Sequence, residues 1–261
     1  MILGMAVSPD ENSVKTVKEI GYRYVEIGLR GVYGENGDKL EPFLKALDKY
    51  KIRCESAHYP FPSEYNPIGE QSAEQLEKAY DVIYDVVKKT SGLNIERFII
   101  GAGGARVLPS PDKYINAMEQ MAEICKKVIS PVLSEFGIIA AIEGLQKRES
   151  TILTTTGQSV ELARMVDLPN IKVMADLFHV TIEGENLADF VHYKGFIQHS
   201  HIGHPTPRVM PAPDDGYDYK PFFAALRSAN FNHRMTVEAA PRNDDHVQCM
   251  KDAYAALIDL C

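Results

Sequence analysis

Four stretches in the second half of the chain decide its fold: GIIAAIE (137–143), IKVMAD (171–176), FIQHSH (196–201) and RMTVE (234–238). Each is a short apolar run that ends in a side chain able to hold a divalent metal: Glu143, Asp176, His201 and Glu238. The runs are separated by roughly 25 to 40 residues, the length of one strand–helix–strand unit, whose parallel crossover needs at least a dozen residues. Parallel strands joined by helices present all their carboxyl ends on one side. In a closed (β/α)8 barrel, that side carries the active site. Four ligand-type residues at strand ends therefore converge only if the sequence folds as such a barrel.

Working outward, four more runs precede them: ILGMAV from Ile2, YRYVEIGL from Tyr22, KIRCESAH from Lys51 and ERFIIG from Glu96. Continuous apolar runs of this kind suit strands covered on both faces. Between and after the eight runs lie stretches with apolar residues at helical spacing, such as SVKTVKEI (13–20), KLEPFLKALDKY (39–50), SAEQLEKAYDVIYDVVKKT (72–90) and YKPFFAALRSA (219–229). The weakest unit is the sixth, whose helix is short. Eight alternations predict a single (β/α)8 TIM barrel domain over residues 1–261, with no linker or low-complexity segment dividing it. The 261 residues, 45% of them hydrophobic, match the usual size of one such barrel.

Charge and cysteine content narrow the function. A net charge of −8 disfavours nucleic acid, whose binders present basic patches. The four cysteines, Cys54, Cys125, Cys249 and Cys261, form no CxxC pair and read as reduced thiols. The start MILGMAVSPDE lacks a basic, then apolar leader pattern, and no apolar run approaches membrane-spanning length. The expectation is a soluble, cytoplasmic protein without a membrane or nucleic-acid partner. Its oligomeric state is left open, a homo-oligomer included.

Two Glu, one Asp and one His make a mostly oxygen donor set. Such a set favours six-coordinate Mn²⁺, with Mg²⁺ or Co²⁺ as alternatives, over structural zinc, which prefers Cys and His in a closed tetrahedron. Taken singly, an acidic residue ending a strand is usually a helix cap or a surface charge. Four at barrel spacing point instead to a catalytic metal. Further polar residues fall nearby: His179 three after Asp176, Glu149 six after Glu143, Arg208 seven after His201, and His58 at the end of the third strand run. Each is a candidate to meet a polyol substrate, whereas His199 is placed one layer deeper as a buried structural histidine. The post-strand loops HYPFPSEYNPIGE, AGGARVLPSPD and GHPTPRVMPAPDDGYD are expected to shape the pocket. The Gly101-Ala102-Gly103-Gly104 run reads as a tight turn rather than a phosphate cradle.

The set IEGLQKRE, MADLFHV, HSHIGHPTPRVMP and MTVEAA resembles the xylose isomerase-like (β/α)8 superfamily over nearly the whole chain, and within it the ketose 3-epimerases. That resemblance implies metal binding by Glu143, Asp176, His201 and Glu238, a substrate-oxygen contact from His179, and hydroxyl contacts from Glu149 and Arg208. It also implies a reaction in which Glu143 and Glu238 serve as base and acid on either face of an enediolate, inverting carbon three of a ketose. The chain departs from the family pattern in carrying Gln146 after the fifth strand, His204-Pro205-Thr206 after the seventh, a longer approach to Arg208, and no Trp. These departures suggest a substrate other than the commonest free ketohexoses. Alternatives are an isomerase of a small hydroxy-carbonyl compound such as hydroxypyruvate, a keto-inositol dehydratase, a zinc endonuclease, which the charge opposes, and a sugar-binding subunit without catalysis.

Overall fold

The computed structural model describes residues 1–32, 39–58, 73–101, 106–108 and 110–261. Eight parallel strands close into a barrel: β1 (Ile2–Ala6), β2 (Tyr24–Gly28), β3 (Arg53–His58), β4 (Arg97–Ile100), β5 (Ile139–Glu143), β6 (Ile171–Asp176), β7 (Ile197–Ile202) and β8 (Arg234–Val237). Closure is made by β1 and β8, in register from Ile2 beside Arg234 to Met5 beside Val237. Each strand falls on its expected run with ends displaced by at most two residues, β6 matching its run and β7 continuing one residue past it to Ile202. The runs are apolar because both faces are covered: β6 is buried at five of its six positions, with only Lys172 partly exposed.

Helices α1 (Glu11–Ile20), α2 (Leu40–Tyr50), α3 (Ala73–Lys89), α4 (Tyr114–Ile124), α5 (Ser130–Glu135), α6 (Thr156–Val166), α7 (Leu177–Ile182), α8 (Lys220–Ser228) and α9 (His246–Leu257) surround it. The long amphipathic stretch 112–136 folds as α4 and α5 joined through a π-turn at Cys125–Ile129. Local chemistry sets the helix ends. Asp10 caps α1 by accepting from Ser13 N at 2.9 Å, and Gly21 closes it at φ +116°, a backbone angle that L side chains rarely adopt. The helix of the sixth unit is short, α7 having six residues before a 3₁₀ segment at Leu187–Tyr193.

The main core lies between strands and helices, and includes Leu3, Ile27, Phe43, Val173, Phe222 and Phe223. Inside the barrel, Ile99, Ala141 and Met174 form a separate apolar cluster on β4–β6. The opposite half of the interior is polar. Tyr24 crosses it to bond Thr236 Oγ1 at 2.7 Å, and Gly4 leaves room for its ring, since a Cβ there would lie 2.3 Å from Tyr24 Cζ. Cys54, Cys125, Cys249 and Cys261 are free thiols. No helix among the described residues is long and apolar enough to cross a membrane. Of the three expected pocket loops, 59–72 and 102–105 with Pro109 lie outside the described residues. The loop after β7 is described, and it folds back as a short hairpin that pairs His204–Pro205 with Arg208–Val209.

Candidate metal and active site

The carboxyl ends of β5 to β8 bring Glu143, Asp176, His201 and Glu238 together. Ligand atoms of Glu143, Asp176 and His201 all lie within 4.8 Å of one another. His201 Nδ1 faces Glu143 Oε1 at 3.8 Å and Glu238 Oε2 at 3.1 Å. Glu143, Asp176 and His201 are buried, while the Glu238 side chain keeps 29% exposure at the mouth.

Asp176 shows how the sequence builds this corner. It ends β6 and caps α7: Oδ1 accepts from Phe178 N at 2.9 Å, which leaves Oδ2 to face the cluster. It is thus both a helix cap and a member of the site. The cap also fixes His179 on the first turn of α7. His179 Nδ1 accepts the backbone N–H of Gln146 at 3.0 Å, so in the neutral ring Nε2 carries the hydrogen. That nitrogen stands 3.8 Å from both Glu143 Oε1 and Asp176 Oδ2. Burial lowers the imidazole's pKa, keeping the ring a neutral donor.

Arg208 arrives on the 204–209 hairpin. Its guanidinium lies 4.7 Å from the Phe178 ring, donates to Asp176 Oδ2 at 2.5 Å, and also bonds Glu238. Glu149 is exposed and accepts from Gln146 Nε2 at 2.6 Å, while its neighbour Lys147 pairs with Glu183. His58 ends β3 with its ring packed against Gly28 and Nδ1 3.8 Å from Glu26 Oε1. It therefore borders the polar half of the barrel beside Glu26.

Three participants are not apparent from the sequence. Glu26, fully buried in β2, accepts from Ser56 Oγ at 2.6 Å, Thr236 Oγ1 at 2.8 Å, His199 Nε2 at 2.9 Å and His201 Nε2 at 2.8 Å. Burial pushes its carboxyl up, but His201 and His199 outweigh that and hold it well below the usual carboxylate range. His199 is the buried inner histidine expected from strand alternation. Arg106, also buried, donates to the Glu143 carbonyl at 2.9 Å, and burial pulls its guanidinium pKa down to about 10. Gly101, past the end of β4, is the third: a Cβ there would lie 2.1 Å from Glu143 Oε2. Close approach of that carboxylate is the reason visible for this glycine, and the rest of the expected tight turn, Ala102-Gly103-Gly104, lies outside the described residues.

Among the described residues, two groups could hold a cation, and they share His201. Glu26, His199 and His201 form one, but their facing atoms are already hydrogen-bonded at 2.8–2.9 Å. Glu143, Asp176 and His201, with Glu238 beside them, form the other, and here His201 Nδ1 is buried without a hydrogen-bond partner. A buried imidazole nitrogen facing carboxylates is a ligand in want of a cation, so the second group fits a hard or borderline divalent ion. Without that charge the two outer carboxyls split. Burial pushes Glu143 up to about 8, whereas for Glu238 the His201 and Arg208 charges outweigh burial and hold it at about 2.

Comparison with known proteins agrees with this architecture. The D-psicose 3-epimerase of Enterocloster bolteae is 25% identical over 230 residues, covering 85% of this chain and 74% of that protein. The 3-dehydro-D-guloside 4-epimerase of Escherichia coli is 25% identical over 146 residues, 56% of this chain and 55% of its own length. A crystal structure of D-psicose 3-epimerase in the presence of D-fructose superposes with a TM-score of 0.81 at 19% identity, over 99% of this chain and 98% of that one. The model of the xylose isomerase-like TIM barrel family matches residues 14–257, and the chain belongs to that family.

Proposed function

We propose that the chain is a divalent-metal-dependent ketose epimerase that inverts carbon three. It is an enzyme of the sugar epimerase and isomerase kind, as its named relatives are. The observation that carries the finer reading is the meeting of Glu143 and Glu238 at one buried nitrogen, His201 Nδ1, from strands separated by two others in the barrel. Two carboxylates reaching one point from different directions suit a base and an acid on opposite faces of a substrate.

Glu143, Asp176, His201 and Glu238 would hold the ion, Mn²⁺ foremost, with Mg²⁺ or Co²⁺ as substitutes. When bound, it supplies charge that makes a hydrogen beside a carbonyl acidic. The rest is the work of side chains. One of Glu143 and Glu238 removes the carbon-bound proton, and the other returns one to the opposite face. His179 Nε2–H, held by Gln146 N, donates to the substrate oxygen that gains charge, a role that needs a donor already aimed. Arg208, Glu149 and His58 bind hydroxyls at the rim, Arg208 exchanging part of its carboxylate pairing for the sugar. The substrate is a small sugar or hydroxy-carbonyl compound and the setting cytoplasmic.

The test is a ketose panel incubated with Mn²⁺ in D₂O, separated by chromatography and read by NMR. Epimerisation should place deuterium at carbon three. Label confined to carbon one or two would indicate an aldose–ketose isomerase. No turnover and no label with any ketose would refute the epimerase reading.

A further inference from the structure

Inside the barrel, below the carboxylate cluster, Glu26 is surrounded by donors. Its Oε2 receives Ser56 Oγ, Thr236 Oγ1 and His199 Nε2, and its Oε1 receives His201 Nε2 at 2.8 Å. His199 and His201 are two apart on β7, so both rings point inward, with centroids 5.2 Å apart and planes at 87°. The Tyr24 hydroxyl secures the far side by donating to Thr236 Oγ1, which passes its own hydrogen to Glu26. A carboxylate only accepts, so each of these four partners must give it a hydrogen.

For His201 the consequence is definite. A neutral imidazole that donates from Nε2 has its lone pair on Nδ1, and Nδ1 is the atom turned toward Glu143 and Glu238. We propose that Glu26 is a positioning residue for the metal ligand His201, fixing the Nε2–H tautomer and the ring plane so that Nδ1 is presented bare to the cation. Metal-bound histidines commonly donate their other ring N–H to a carboxylate or carbonyl, and loss of that partner typically weakens metal binding by about 10–100-fold. The proposal rests on the metal reading given above, but not on which sugar is turned over or at which carbon.

Two measurements test it without reference to activity. In ¹⁵N-labelled, metal-free wild-type protein, long-range ¹H–¹⁵N correlation should show His201 carrying a hydrogen at Nε2, whether or not the flanking carboxylates also hold one on Nδ1; a ring with its hydrogen on Nδ1 and none on Nε2 would overturn the proposal. In Glu26→Gln the amide has one acceptor oxygen and an NH₂ group, so it cannot receive both imidazole hydrogens. Mn²⁺ affinity, measured by competition with a fluorescent chelator, should fall at least tenfold while the far-ultraviolet circular dichroism is kept. Ser56→Ala removes a donor on Oε2 only and should stay within about threefold of wild type, by the loose coupling expected of a group that does not touch His201. A folded Glu26→Gln protein with wild-type Mn²⁺ affinity would overturn the proposal, and so would equal losses in Ser56→Ala and Glu26→Gln. If Glu26→Gln does not fold, the wild-type tautomer decides alone. A wild type that takes up no Mn²⁺ would refute the metal reading and this proposal with it; a failure of the Glu26 role alone leaves wild-type uptake intact.

Discussion

Gly101→Ala should leave the barrel folded and remove most of its activity. A Cβ at this position would stand 2.1 Å from Glu143 Oε2, and its next contacts, Glu143 Cδ and Cβ, lie at 3.3 and 3.6 Å. Normal carbon–oxygen contact needs about 3.2 Å, so the carboxylate must retreat by roughly 1 Å, a misplacement that can cost about 100-fold in rate. What yields is the free end of a side chain. Gly101 also has no positive φ, so alanine is conformationally acceptable there. Losing a glycine's unfolded-state freedom is worth about 0.4–1 kcal/mol where the backbone is compatible, which should offset the local adjustment. The expected result is a urea midpoint within error of wild type and turnover reduced about 100-fold on the best ketose of the panel, with Mn²⁺ affinity also reduced. Gly4→Ala is the matching control. Its Cβ would lie 2.3–2.5 Å from three ring atoms of buried Tyr24, a rigid group anchored through Thr236, so it should lose about 1–3 kcal/mol of stability by overpacking. Wild-type turnover in Gly101→Ala would show that the position of Glu143 seen here is not the working one.

Glu143→Gln and Glu238→Gln should each stay folded and lose turnover by more than 100-fold, since the amide keeps the shape and removes the proton carrier. Metal content measured alongside rate separates a lost ligand from a lost base, and near-normal turnover in either variant would refute the two-carboxylate mechanism. Arg208→Ala frees Asp176 and Glu238 from a competing cation. Its Mn²⁺ affinity should therefore rise, by roughly tenfold if one charge-assisted bond of about 1.5 kcal/mol is released, while KM for the ketose increases. Weaker Mn²⁺ binding by calorimetry would reverse that assignment. Exhaustive chelation should abolish turnover, and added Mn²⁺ should restore it; full activity at undetectable metal content would remove the cation from the reaction.

How much of this was legible in the sequence follows from how each interaction is encoded. Strands covered on both faces need apolar runs, and a group that must reach the mouth of a barrel sits where such a run stops. Glu143 and Asp176 are the last residues of β5 and β6, and Glu238 directly follows β8. Periodicity alone finds them. Asp176 could be read as cap or ligand, and the fold resolves this by giving each oxygen one task. Glu26 carries no such marker. In YVEIG a single acidic residue looks like the polar side of an alternating strand, and the groups that make its burial tolerable come from far along the chain: Ser56 30 residues away, His199 173, His201 175 and Thr236 210. Only barrel closure, which sets β1 between β2 and β8, brings them to one carboxylate. Gly101 is obscured in a different way, because the atom that forbids a Cβ belongs to the neighbouring strand. Sequence pattern thus records what each strand owes to its own two faces, while the polar interior is specified by residues that meet only after closure. A mutation there should therefore act on the site above it even though it touches neither ion nor sugar.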